Sequence, residues 1–150
     1  MFDCGGNYIP ERSLQSDLSF GLTNESFVIN QLNIHFEEEQ IKSSKELGYG
    51  HYCGYDAISD NTIYEIKSRR CKYQSYPTTL LPVHKIKDDK NNKRLVFVFH
   101  FTDGLYYIIY SKELFDTFDT KIVKIVRAGM NDKPTLHYYI PIQHLIKIHI

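Results

Sequence analysis

Three stretches of the chain predict an α/β protein, a mixed β-sheet flanked by helices. They are an amphipathic run from Thr23 to about Glu39, two strand-like runs meeting at Ser59-Asp60-Asn61-Thr62, and the apolar run Leu95 to Phe101 followed by the turn Thr102-Asp103-Gly104. With 150 residues, 42% hydrophobic and 14% aromatic, the chain has enough apolar surface for one core and reads as a single domain spanning 1–150.

Taken in order, residues 1–21 carry Gly5-Gly6, Pro10 and several polar side chains and read as an irregular N-terminal arm. A helix is predicted over 23–39, with Thr23 or Asn24 as N-cap and Val28, Leu32 and Phe36 recurring at helical spacing. Glu25 shares that stripe. A carboxylate facing the core side needs a partner, although an acid in a first helical turn also complements the macrodipole.

The run Gly54 to Arg70, GYDAISDNTIYEIKSRR, carries the chemistry. A two-residue loop at Asp60-Asn61 places positions summing to 121 opposite one another, so Asp56 is expected to face Glu65. Opposed residues have Cβ atoms about 4.5 to 5.5 Å apart, and the two-residue period of a strand puts Lys67 on the same face as Glu65. Two carboxylates held that close repel unless a divalent cation lies between them, and oxygen donors favour magnesium, with manganese as a substitute. A lysine beside them is suited to contacting a phosphate or to orienting and deprotonating water. The trio therefore fits phosphodiester hydrolysis, against the plainer alternative of a solvated hairpin.

Beyond the hairpin, Tyr76-Pro77-Thr78-Thr79 predicts a turn or helix start with Pro77 early in it, and Pro82 interrupts or restarts the helix. Lys85 then falls about one turn further on and is expected to point back at the active site, where it would clamp a neighbouring phosphate. Leu95 to Phe101 reads as a buried central strand, hairpinned to Leu105 to Tyr110. Ser111 caps a short helix through Phe115. Lys121 to Arg127 and Leu136 to Ile142 read as strands, and His144 to Ile150 as a final short element.

The balance of 18 acidic and 18 basic residues conceals strong segregation. Residues 1–65 are net minus eight, residues 66–94 net plus seven, and the remainder net plus one. A basic block directly after the hairpin suits a phosphate backbone. Arg69, Arg70 and Lys72 are its best phosphate contacts, with Tyr73 as a stacking surface and the hydroxyls of Thr78 and Thr79 as donors. Lys90, Lys93 and Arg94 read as a solvated loop.

Other classes find less support. Cys4, Cys53 and Cys71 form no CxxC pair and read as free thiols, and His51-Tyr52-Cys53 lacks the second half of a zinc site. The seven scattered histidines show no ligand spacing, with His100 placed as a strand residue. No glycine-flanked nucleophile or phosphate-cradling glycine loop occurs. The absence of a long apolar run or a cleavable leader leads to the expectation of a soluble protein, neither membrane-bound nor secreted, in the cytoplasm or nucleus. Tyr106, Tyr107, Tyr138 and Tyr139 are candidates for a self-association surface or for half-buried strand positions.

A helix with an early Glu, then Asp, then Glu-x-Lys on a hairpin, then a basic segment, resembles the PD-(D/E)xK nuclease superfamily over roughly Thr23 to Phe101. On this resemblance Asp56 is the first motif acid, Glu65 the second, Lys67 the motif lysine and Glu25 the helix-borne acid. Tyr55 stands where the motif has proline. The resemblance implies a restriction-endonuclease-like core and a magnesium-dependent endodeoxyribonuclease of the homing-endonuclease or junction-resolvase kind. Asp56, Glu65, the Ile66 carbonyl and Glu25 would serve the metal, and DNA would be the partner. Cutting both strands of a duplex favours a homodimer. The alternatives are a non-catalytic nucleic-acid-binding or assembly protein on a nuclease fold, and an RNA-directed nuclease.

Overall fold

A helix, a six-stranded mixed sheet and a smaller three-stranded sheet stack in that order. The structure is a computed structural model that describes residues 14–48, 54–86, 92–124 and 133–150, with side chains from Glu25 onward. Among these residues the large sheet has the strand order β1 (Lys42–Ser43), β2 (Ala57–Ile58), β3 (Thr62–Ser68), β5 (Arg94–Phe101), β6 (Gly104–Ile109) and β9 (Ile146–Ile148). The small sheet has the order β4 (Thr78–Pro82), β8 (Thr135–Pro141) and β7 (Asp119–Val123). Only β3 and β5 run parallel; all other neighbours are antiparallel.

Helix α1 spans Leu14–His35, so it starts earlier and ends sooner than the periodicity from Thr23 to Glu39 predicts. Leu14, Leu18 and Leu22 continue the apolar spacing backwards through Gly21, and residues 14–21 are therefore helical instead of an irregular arm. Thr23 and Asn24 therefore lie inside the helix and not at its start, and Glu25 sits mid-helix, where a terminal dipole offers it no compensation. Just beyond α1, the Asn33 side chain accepts the Ile41 N–H at 2.8 Å and donates to the Ile41 carbonyl at 3.0 Å. This clamp folds the chain back into β1.

Alternation along β5 divides the core in two. Val96 and Val98 join Val28 and Leu32 of α1, Tyr64, Leu105 and Ile148 on one face. Phe97, Phe99 and Phe101 join Leu81, Ile140 and Phe115 on the other. Both faces of β5 are covered, which is why its sequence is a continuous apolar run. One face of the sheet is covered by α1, as expected, but the other is covered mainly by the second sheet, with only the four-residue helix α2 (Lys112–Phe115) beside it.

The turn at Thr102-Asp103 joins β5 and β6 in the expected hairpin, with Phe101 paired to Gly104. Ser111 caps α2, its hydroxyl accepting the Leu114 N–H at 3.4 Å. The segment after Lys67 departs from expectation. Pro77 precedes a strand, not a helix, because β4 finds a partner in β8, with Leu80 opposite Tyr139. Part of the strand expected over Lys121 to Arg127 lies outside the described residues, as do residues 1–13 of the arm. Tyr106 and Tyr107 are buried and Tyr138 and Tyr139 half-buried, so all four take strand positions within the sheets.

Cys71 corrects the expectation of three free thiols, since its sulfur is disulfide-bonded. Cys4 and Cys53 lie outside the described residues. Among the described residues, no helix is long and apolar enough to cross a membrane.

Candidate active site

The β2–β3 hairpin has the predicted register: Ala57 pairs with Tyr64 and Ile58 with Ile63, around a loop closed by the Ser59 N–H to the Thr62 carbonyl at 2.9 Å. At Asp56 the ladder gives way. The Asp56 N–H bonds the Tyr64 carbonyl at 3.0 Å, and its side-chain Oδ2 accepts the Ile66 N–H at 2.7 Å. Asp56 is thus no simple ladder partner of Glu65: a bulge-like step turns its carboxylate onto the free edge of β3. The Ile66 carbonyl points to that same edge, because N–H and C=O of one strand residue project together. The Asp56 carbonyl in turn accepts the Ser44 N–H at 2.9 Å, which ties β1 to the site.

Tyr64 belongs to the core beneath α1, so Glu65 and Lys67 project from the opposite face, beside Phe97 and Phe99 in the parallel register. Glu65 is only 4% exposed. Its Oε1 takes Lys67 Nζ and Lys85 Nζ, each at 3.0 Å. Lys85 reaches Glu65 from the 3₁₀ turn Val83–Lys85 that follows Pro82, so the lysine expected to clamp a phosphate is here paired with a site carboxylate.

Burial pushes the Glu65 carboxyl up, but Lys67 and Lys85 overcome it and hold the group below the ordinary carboxylate range. Asp56 goes the other way: burial and the Glu65 charge raise it, against the opposing Ile66 N–H and the two lysines. Glu25 is also raised, by burial and then by Asp56, with Lys45 opposing and Glu65 adding to the rise. The helix acid therefore senses both hairpin acids. Lys67 lies below the usual lysine value, since burial favours its neutral form and Lys85 adds repulsion, while Glu65 pulls the other way.

Oxygen donors, burial and mutual repulsion make Asp56 and Glu65 a pair that magnesium would relieve, and in this respect the residues suit that ion. Among the described residues, however, no three acidic or histidine side chains close to ligand spacing. Glu25, Asp56 and Glu65 therefore do not close into a three-carboxylate cage.

The phosphate contacts read from the basic block divide. Arg69 turns inward: Nε donates to Thr79 Oγ1 at 3.2 Å, an Nη2 N–H donates to the Leu80 carbonyl, and the guanidinium lies 5.4 Å from the Phe99 ring centre. Thr79 is fully buried. Both are thus engaged with each other inside the fold. Tyr73 is also engaged, stacked on Tyr106 with ring centres 4.0 Å apart and donating its hydroxyl to the Ile142 carbonyl at 2.8 Å. Thr78 is half-buried opposite Pro141 in the small sheet. Arg70 and Lys72 remain exposed beyond the end of β3. Lys93 donates to the Ser59 carbonyl and Arg94 pairs with Glu39, so both brace the hairpin.

Two features escaped the sequence reading. A cleft of about 280 Å³ adjoins Glu25, bounded by Ser26, Asn30, Ser43, Lys45 and Glu46. Its signal, KSSKE after the helix, has no period. The second is Glu39, whose carboxylate accepts Thr62 Oγ1 at 2.9 Å, the Tyr64 hydroxyl and Arg94 Nη2 at 3.1 Å. Comparison of the chain with protein families, with curated proteins and with solved structures gives no match, so the chemistry of the site is read from its own residues.

Proposed function

We propose that the chain is a magnesium-dependent endodeoxyribonuclease of the PD-(D/E)xK kind, with a restriction-endonuclease-like core. The observation that carries this reading is the convergence of Lys67 and the buried Glu65, 3.0 Å apart, on the hairpin whose edge holds Asp56. Asp56 and Glu65, with the Ile66 carbonyl on the same edge, would hold the ion, and manganese would substitute. The ion would supply Lewis-acid polarisation of the scissile phosphate and a more acidic water. Glu25, raised by burial and then by the hairpin acids, would orient water from the helix side. Lys67, held beside Glu65, would orient the attacking water and stabilise the charge that develops on the phosphate. Arg70 and Lys72 would hold neighbouring phosphates through exposed charge. A homodimer would give one active site per strand of a duplex.

Purified protein is expected to cut DNA with magnesium and not with chelator, assayed on linear, nicked and branched DNA with matched RNA in parallel. Asp56→Asn and Lys67→Ala should each abolish cutting while leaving thermal unfolding cooperative. Undiminished cutting by both variants would sink the assignment. A second reading follows from Glu65 itself, already neutralised by two lysines. In that case the site binds nucleic acid without turnover, and salt-dependent binding with no cutting in any metal would identify it.

A further inference from the structure

Lys67 Nζ and Lys85 Nζ each lie 3.0 Å from the same oxygen, Oε1 of Glu65. One ammonium neutralises Glu65 and the second answers the neighbouring Asp56 charge, which both lysines stabilise, while the two cations repel one another. They are held differently. Lys67 stands on β3 two residues from Glu65, on the same face, and the pleat of a central strand fixes it. Lys85 comes from a separate single turn, Val83–Lys85, closed by the Ile86 N–H to the Val83 carbonyl at 3.0 Å. A quarter of the Lys85 side chain is exposed, so it can swing away without disturbing either sheet.

We propose that Lys85 is an exchangeable counter-ion, neutralising Glu65 when the Asp56–Glu65 pair carries no divalent cation and moving to a DNA phosphate oxygen when the pair takes one up. This rests on the metal-dependent reading above. Lys85 and a divalent cation compete for Glu65, so the departure of Lys85 removes a repulsion at the carboxylates. The same departure supplies a cation to the phosphate. Metal and DNA then favour each other's binding by equal factors, because linkage is reciprocal. Lys85 thereby acts as a coupling residue between two ligands, a role that neither a fixed phosphate clamp nor a structural ion pair would perform.

The experiment measures Mn²⁺ binding to DNA-free protein by electron paramagnetic resonance, and binding of a short DNA duplex by fluorescence anisotropy in Ca²⁺ or in EDTA. Wild type is expected to bind the duplex more tightly in Ca²⁺ by a factor of roughly 5 to 150, the usual range of coupling between sites. Lys85→Met should bind Mn²⁺ at least about fivefold more tightly without DNA, and its Ca²⁺ enhancement of DNA binding should fall towards one. Lys85→Gln, which keeps a hydrogen-bond donor near Glu65 and removes the charge, should behave alike and guards against a folding defect in the first variant. Wild-type Mn²⁺ affinity together with undiminished Ca²⁺ enhancement in both variants overturns the proposal. Failure of the wild-type protein to bind Mn²⁺ at all is a different result: it overturns the metal-dependent reading, and the inference falls with it.

Discussion

Asp56 Oδ2 accepts the backbone N–H of Ile66 at 2.7 Å, so one carboxylate both caps the open edge of β3 and faces the charge of Glu65. The two roles separate by substitution. Asp56→Asn keeps an oxygen acceptor for the Ile66 N–H and removes the charge, whereas Asp56→Ala leaves the N–H without its partner. We predict that Asp56→Ala costs about 1–3 kcal/mol of stability, the penalty of an orphaned donor, and that Asp56→Asn costs much less. Both should lose Mn²⁺ binding. Urea unfolding of the two variants checks the first half, and equal losses of stability would refute the capping role.

Arg69 and Thr79 hold each other across the two sheets. The guanidinium also donates to the Leu80 carbonyl, and burial lowers its pKa to about 10. Its loss should therefore register as instability: Arg69→Met is expected to cost about 1–3 kcal/mol by leaving Thr79 and Leu80 with unmet acceptors. Arg70→Ala, at an exposed position, should stay within about 0.5 kcal/mol of wild type while weakening DNA binding. Parallel thermal melts and anisotropy titrations would expose an inverted pattern.

What was legible follows from how local each signal is. The trio Asp56, Glu65 and Lys67 needed only a turn and a two-residue period, both carried by adjacent residues. Lys85 was legible because Pro82 starts the turn that carries it. The same period puts Arg69 on the face of Lys67, but nothing near it in sequence says that this face is roofed by β4, β8 and β7. That roof depends on Leu80 meeting Tyr139, a pairing between segments far apart in the chain. The helix start was lost for a related reason: Gly21 and the serines before it look like an arm until Leu14, Leu18 and Leu22 are seen to extend the stripe of Val28 and Leu32.

His137 lies on β8, within that roof, 2% exposed, with Nδ1–H donating to the Thr135 carbonyl at 2.9 Å. Burial pushes its pKa below the ordinary value, with the Thr135 carbonyl opposing and the charges of Arg69 and Lys67 adding to the drop. The unfolded chain binds a proton from about pH 6.5 downward, while the folded chain does not until lower pH. Stability is thus complete above that value and falls as pH drops through it. His100, also lowered by burial, adds the same sign. We predict a loss of unfolding free energy between pH 7 and 5 that is smaller in His137→Leu than in wild type, measured by urea titration at each pH. An identical slope in the variant would remove His137 from the account.

Glu39 joins the end of α1 to the hairpin through three donors on its two oxygens: Thr62 and Arg94 on Oε1, and the Tyr64 hydroxyl on Oε2. Arg94 is 39% exposed, and such a pair contributes at most about 1 kcal/mol after solvent screening. Tyr64 is different, because its ring is buried in the core under α1 and burial, with Glu39 beside it, raises its pKa. Glu39→Ala strands that hydroxyl, and a cost of about 1–3 kcal/mol is expected; Tyr64→Phe leaves Glu39 its other two partners and should cost about 1 kcal/mol. The double variant should be less destabilised than the sum by about 0.5 kcal/mol or more, since it removes both ends of the Tyr64–Glu39 bond, whereas Thr62 and Arg94 lose Glu39 in the single and the double variant alike. Additivity in this cycle would mean that the bond contributes nothing to holding α1 on the sheet. If the coupling is present, Glu39→Ala should also weaken Mn²⁺ binding, because the contact that fixes α1 on the hairpin helps to set the approach of Glu25 to Asp56.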